Sequence, residues 1–195
     1  MKRLFFLFVF CISTIGMYAA NFFPAIIFTK EGEKIECLVK FPEIKDKKIS
    51  YKLSQKSQVV KIPSESTERI VFINKTDDSY GEIVYTSYHY YDLLGTRLHK
   101  PHWLGVVVKG EVTLLMYIEG SARHCICKRS KEDFPTYLGA YQVGASFSIA
   151  NPFYKKAEEY FSDYPELAQK IKNKEYKDRD IKNIVTEYNV WKSVK

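Results

Sequence analysis

The segment WLGVVVKGEVTLLMYI, residues 103–118, decides the predicted fold class. It contains two apolar runs, 103–108 and 111–118, which are joined at Lys109 and Gly110. Two strand-like runs separated by a two-residue turn that contains glycine predict a β-hairpin. Because both runs are almost continuously apolar, we expect them to lie centrally in a sheet.

Strand-like segments continue on both sides of this hairpin. Residues 25–29 and 34–41 flank a short loop that contains Gly32, which predicts a second hairpin. The second run alternates as a half-buried strand does, with Ile35, Cys37 and Val39 on one face and Lys34, Glu36, Leu38 and Lys40 on the other. The other predicted strands are 49–53, 58–62, 69–73, 82–91 and 122–128, whereas 74–81 is predicted to be a polar turn and 94–101 a loop. Frequent turn residues without an intervening helical pattern favour antiparallel pairing.

The pattern changes from strand to helix after Asn151. Asn151 and Pro152 are typical of an N-cap followed by the first turn of a helix. Asp163 and Glu166 have the spacing of a capping box, which predicts the start of a second helix.

A last helix is predicted to begin at Asp178 or Asp180. Its apolar stripe consists of Ile181, Ile184, Val185, Tyr188 and Trp191. Amphipathic helices must cover an apolar surface, so we expect residues 151–195 to form a helical tail that packs on a mainly β domain of residues 21–150. The predicted fold class is α+β, a mainly antiparallel β-sheet of about eight short strands followed by a cluster of two to three short helices.

The first twenty residues predict export. Lys2 and Arg3 precede an uncharged apolar run, 4–17, and small residues end it. This arrangement is typical of a signal peptide, residues 1–20, which would be cleaved after Ala19 or Ala20. We therefore expect the protein in the periplasm or in the outer-membrane-associated cell envelope.

An uncleaved membrane anchor is the alternative interpretation of the N-terminus. Apolar residues continue after the predicted signal peptide, but Asn21 and Pro24 interrupt them. A helix that spans a bilayer needs roughly 20 continuous apolar residues. The cleaved signal peptide is therefore the favoured prediction.

Length and charge limit the classes of partner. The mature chain of about 175 residues suffices for one domain with its own core. The formal charge of +7 falls to +5 when Lys2 and Arg3 are removed with the signal peptide. The lysines are scattered, with Lys45, Lys47 and Lys48 as the densest group, and no basic stripe stands out. A solvated surface is therefore favoured over binding to an anionic surface, and nucleic acid is not an expected partner.

Three cysteines remain in the mature chain once Cys11 is removed. An odd number argues against a disulfide framework. Cys125 and Cys127 are two residues apart and would share one face of a strand, where Cys37 could form a bridge to one of them in an oxidising compartment. Three small buried side chains are the favoured interpretation.

The same strand carries the only grouping that suggests a metal site. Imidazole and thiolate both bind zinc or copper, so the low-ranked candidate ligands are Cys125, Cys127, Cys37 and His124. His99 and His102 lie near in sequence but flank Pro101 and need not converge. His124 and Cys125 would point to opposite faces of the strand. No cofactor is expected, since nucleophile-elbow and phosphate-loop patterns do not occur in the sequence.

The C-terminal sequence contains YFSDYPEL (160–167), KIKN (170–173), Asp180 with Ile181, and IVTEYN (184–189). These stretches resemble the ending of a large uncharacterised family of exported proteins in Gram-negative bacteria, and the hairpin 103–114 is similar to the middle of that family. The residue at Tyr164 is often cysteine in those relatives, and this chain departs there. The resemblance implies an envelope location and a β-then-α domain, and it carries no known activity or site.

These observations together predict a non-enzymatic envelope protein. We expect a binding or structural module for an envelope protein or glycan partner, with the ligand and the oligomeric state left open. A thiol or metal site at the Cys125/Cys127 strand is one alternative. Peripheral membrane association through a basic, aromatic surface is the other.

Overall fold

The computed structural model describes residues 21–73, 81–91, 97–142 and 152–194. These residues form a ten-strand sheet followed by three α-helices, so the α+β prediction is confirmed. The strands are β1 (Phe22–Thr29), β2 (Lys34–Lys40), β3 (Lys48–Lys52), β4 (Val60–Pro63), β5 (Thr67–Phe72), β6 (Glu82–Tyr91), β7 (Arg97–Val108), β8 (Val112–Glu119), β9 (Ala122–Arg129) and β10 (Thr136–Gln142). The helices are α1 (Phe153–Tyr160), α2 (Pro165–Lys172) and α3 (Ile181–Ser193). None of the described helices combines the length and apolar character that crossing a bilayer requires.

The sheet is open at one end and closed at the other. Its strand order is β4-β3-β2-β1-β5-β6-β7-β8-β9-β10, with antiparallel neighbours throughout. β10 also pairs with β6 in parallel, where Thr136 lies opposite His89. We call the ring of strands β6–β10 the closed half and the extension β1–β5 the open half.

Three apolar cores follow from the alternation of side chains along these strands. One core lies inside the closed half and contains Tyr88, Leu104, Leu115, Tyr117 and Ile126. A second covers one face of the open half, with Ala25, Ile27, Val39, Ile49 and Ile70 among its members. The third lies between the helices and the outer face of the closed half and includes Leu114, Cys125, Cys127, Leu138, Phe153, Phe161, Leu167, Ile184 and Tyr188.

The predicted central hairpin is present as β7 and β8, and α3 packs directly on it. The side chain of Asn189 accepts a hydrogen bond from Val112 N at 2.8 Å and donates one to Val112 O at 2.8 Å. A Cβ atom at Gly110 would lie only 2.4 Å from Asn189 Nδ2. The glycine of the hairpin turn is therefore required for the close approach of α3.

A charged cluster fixes the turn between α1 and α2 to β9 and α3. Asp163 accepts hydrogen bonds from Arg129 Nη2 at 3.0 Å and Tyr188 Oη at 2.7 Å. Lys192 Nζ forms an ion pair with the same carboxylate at 3.0 Å. The guanidinium also donates to the carbonyl of Tyr160. The capping-box prediction for Asp163 is therefore wrong, since Tyr164 occupies the N-cap position of α2 without a side-chain cap.

One other prediction needs correction, one strand was missed, and three predictions fall outside the described residues. β7 begins at Arg97, so the predicted loop over 94–101 is wrong from that residue onward. β10 was not predicted at all, and it is the strand that closes the sheet. The signal peptide (1–20), most of the predicted turn (74–80) and the Asn151 cap lie outside the described residues.

Candidate functional site

The cysteines of β9 are enclosed beneath the helices. Cys125 and Cys127 have no exposed surface and share a core with α1 and α3. Burial raises the pKa of the Cys125 thiol to about 12 and that of Cys127 well above its ordinary value. Both side chains are therefore protonated at neutral pH and shielded from solvent, which disfavours thiolate chemistry and metal binding at this strand.

The other candidate ligands lie apart from this pair. Cys37 belongs to the core of the open half, and burial raises its pKa to about 11. All three cysteines are free thiols. His124 points to the opposite face of β9 from Cys125, because adjacent side chains of a strand alternate between its two faces. Across the described residues, no three or more His, Cys, Asp or Glu side chains are grouped so that they could hold a metal ion.

The two described histidine side chains belong to an aromatic cluster inside the closed half. His124 stacks on Tyr117 with ring centroids 4.2 Å apart, and its Nδ1 lies 3.1 Å from Tyr137 Oη. The ring of His102 is parallel to that of Tyr117, with ring centroids 5.9 Å apart. Burial lowers the pKa of His124, so its imidazole is neutral at neutral pH. The side chain of His99 lies outside the described part of the chain.

The open half presents a surface that the sequence did not reveal. In β1, Ala25 and Ile27 point into the core, so the alternate side chains point to the opposite, solvent-facing side. These alternate residues are Phe22, Pro24, Ile26 and Phe28, all of them apolar and all partly or fully exposed. We call them the outer stripe.

Basic side chains of β2 to β5 share the face of the outer stripe, five of them on the β2–β4 side of β1 and one on the β5 side. The strand register places six of them on the same face: Lys34 and Lys40 of β2, Lys48 and Lys52 of β3, Lys61 of β4 and Arg69 of β5. Two carboxylates accompany them, Glu36 of β2 and Glu68, which lies 3.9 Å from Arg69 Nε. We call the outer stripe with these six basic side chains the cationic face.

Several of these cations lie directly over the aromatic rings of the stripe. The guanidinium carbon of Arg69 is 3.6 Å from the ring centroid of Phe28, and Lys34 Nζ is 5.6 Å from the same centroid. Lys52 Nζ lies 4.8 Å from the centroid of Phe22. Cation–π contacts hold positive charge next to apolar surface. The cationic face can therefore offer both kinds of contact to one partner.

Comparisons with models of protein families, with curated proteins and with solved structures returned no match. The resemblance of the C-terminal stretch to an uncharacterised exported family consequently stays a prediction. The cationic face, which combines exposed apolar and basic side chains, is a candidate binding surface of the described chain.

Proposed function

We propose that this protein is an exported, non-enzymatic envelope protein whose cationic face binds the anionic surface of a lipid membrane. One observation carries the proposal: strands β2 to β5 place six basic side chains on the same face as the apolar outer stripe of β1. A surface that presents apolar and basic side chains together matches the boundary between acyl chains and anionic headgroups.

The electrostatic attraction is large enough to matter. Each Lys or Arg close to an anionic membrane surface contributes about 1 kcal/mol. If Glu36 and Glu68 cancel two of the six basic charges, about 4 kcal/mol remains before any apolar contact is included. Burial of the outer stripe would add to this by about 25 cal/mol per Å².

A lipid surface is favoured over a soluble polyanion by the outer stripe. A polyanion such as an acidic glycan needs the cations alone, and the four apolar side chains of the outer stripe would stay unused. The N-terminal apolar run, 4–17, ends only a few residues before β1. During export the outer stripe would therefore emerge next to the membrane.

Vesicle flotation tests the proposal. Protein recovered from an exporting host should float with vesicles that contain phosphatidylglycerol at about 0.05 M salt and should be released at about 0.5 M salt. Vesicles of phosphatidylcholine alone should not carry it, which also separates face binding from a retained N-terminal anchor.

A charge-matched pair of variants locates the binding surface. The face variant combines Lys34→Glu with Lys40→Glu, both exposed on β2. The control combines Lys155→Glu with Lys182→Glu, which are exposed on the helices and lower the net charge equally. We expect the face variant to lose flotation and the control to keep most of it. Equal losses would show attraction by net charge alone, and binding to a soluble acidic glycan without flotation would assign the face to that partner instead.

A further inference from the structure

A second surface feature lies on the other side of the sheet from the cationic face. It is a cleft of about 450 Å³ where the open half meets the closed half. Its floor consists of Ile83, Gly105 and Met116, which are neighbours across β6, β7 and β8 in the strand register. Ile83 belongs to the core of the open half and Met116 to the core beneath the helices. The cleft therefore lies where these two packed cores meet on the sheet.

The walls of the cleft are two segments that other contacts hold in place. One wall is the segment 41–44, whose Ile44 carbonyl accepts a hydrogen bond from Trp103 N at 2.9 Å. The indole Nε1 of Trp103 also approaches Asp46 O at 3.2 Å and so fixes the loop behind this wall. The other wall, residues 118–120, is the end of β8 and the start of the turn to β9. These contacts form the cleft before any ligand arrives.

An ion pair connects the two walls at the mouth. Lys45 Nζ lies 2.9 Å from Glu119 Oε1, with both side chains largely exposed. The Lys45 hydrogen bond lowers the pKa of Glu119, so this carboxylate is charged at neutral pH. Glu43 also lines the mouth, and its carboxylate makes no ion pair with any described residue. Glu43 therefore adds a negative charge to the mouth, and the Asp46 carboxylate lies close to it, 2.9 Å from Glu43 N.

We propose that this cleft binds a small molecule with a compact apolar body and a cationic group. The apolar body would contact Met116, Phe41 and Ile118, of which the latter two are partly exposed in the structure. The cationic group would lie at the mouth beside Glu43. The volume is within the range of small-molecule sites, which are mostly apolar with a few polar groups that set orientation. The cleft and the cationic face lie on opposite sides of the sheet and share no residue, so the two sites are independent.

Three naphthalene derivatives of similar size and different charge test the cleft by calorimetric titration of the full exported protein. They are 1-naphthylmethylamine, which is cationic, 1-naphthalenemethanol, which is neutral, and 1-naphthoate, which is anionic. We expect the amine to bind most tightly and the naphthoate least tightly. A tighter naphthoate complex, or no binding of the amine, would overturn the proposal.

Two variants and a control assign the binding to the cleft. Glu43→Lys should raise the Kd of the amine about fivefold and leave that of the alcohol unchanged. Ile118→Ser removes apolar wall surface and should weaken the amine and the alcohol alike. Val190→Ser alters a similarly exposed residue of α3 that does not line the cleft, and it should change the affinity for neither ligand. Amine affinity that is unaffected by both cleft variants would place binding elsewhere and contradict the proposal.

Discussion

Replacing Asp163 by asparagine should weaken the attachment of the helical tail to the sheet and so lower the free energy of unfolding. Partial burial alone would raise the pKa of this carboxyl, but hydrogen bonds from Tyr188, Arg129 and Lys192 outweigh burial and lower the pKa from 3.8 to about 2. A shift of that size corresponds to about 2.4 kcal/mol of preference for the charged form in the folded state. Because 39% of the side chain is exposed, solvent screening reduces this figure, and we expect a loss of about 1 kcal/mol in Asp163→Asn at neutral pH.

The pH dependence of this loss identifies its electrostatic origin. A carboxyl whose pKa is depressed by folding stabilises the protein above the pKa of the unfolded state, about 4, and the contribution disappears as the pH falls through the folded value. Urea unfolding followed by circular dichroism should therefore show the full difference between wild type and Asp163→Asn at neutral pH. The difference should shrink at about pH 3 and vanish near pH 2.

A matched carboxylate provides the control for this experiment. Asp133 is exposed, so Asp133→Asn should leave the unfolding free energy nearly unchanged at neutral pH. If Asp163→Asn is as stable as wild type at neutral pH, or if its deficit is the same at every pH, the charged cluster does not hold the tail as described.

Two further predictions concern the packing of the tail and the thiols. Gly110→Ala places a methyl group where Asn189 docks, so thermal unfolding should show a loss of about 1 to 3 kcal/mol, whereas Gly81→Ala, with open space around its Cβ, should show little change. Cys125 and Cys127 should resist iodoacetamide in the folded protein near pH 8 and react after denaturation, as intact mass will report. Rapid alkylation of either thiol in the folded state would contradict their enclosure.

Local patterns sufficed to predict the elements whose neighbours are close in sequence. The central hairpin has both apolar runs and its glycine turn within one segment, 103–118. The stripe of α3 repeats at helical spacing, and its members Ile181, Ile184, Val185 and Tyr188 are all buried. In both cases the residues that determine the element lie within that element.

Tertiary contacts explain the elements that were missed. The pairing of β10 with β9 shifts register next to Gly139, which has φ 151°, so the alternation of β10 is irregular. The start of β7 is polar and contains Pro101, so its sequence is typical of a loop. Its pairing with β6 makes it a strand. Asp163 has the spacing of a cap, but Arg129 and Lys192 are stronger partners and come from distant parts of the chain.

The cationic face was missed for a related reason. The sequence shows Lys34 and Lys40 on one side of a strand, and that alternation was recognised. The other basic residues of the face lie on strands whose register was unknown, so their lysines and arginine looked scattered. Only the pairing of Phe28 with Arg69 and of Leu38 with Lys52 brings them to the same side. Strand order and register make residues that are distant in sequence neighbours, and the alternation of side chains within one strand does not predict either.

Flotation of the exported protein with anionic and neutral vesicles at low salt tests the membrane proposal most directly. The cationic face predicts that the protein floats with phosphatidylglycerol vesicles, and that Lys34→Glu with Lys40→Glu abolishes this association. Protein that stays at the bottom of the gradient with both kinds of vesicle, or that floats equally well with both, would contradict it.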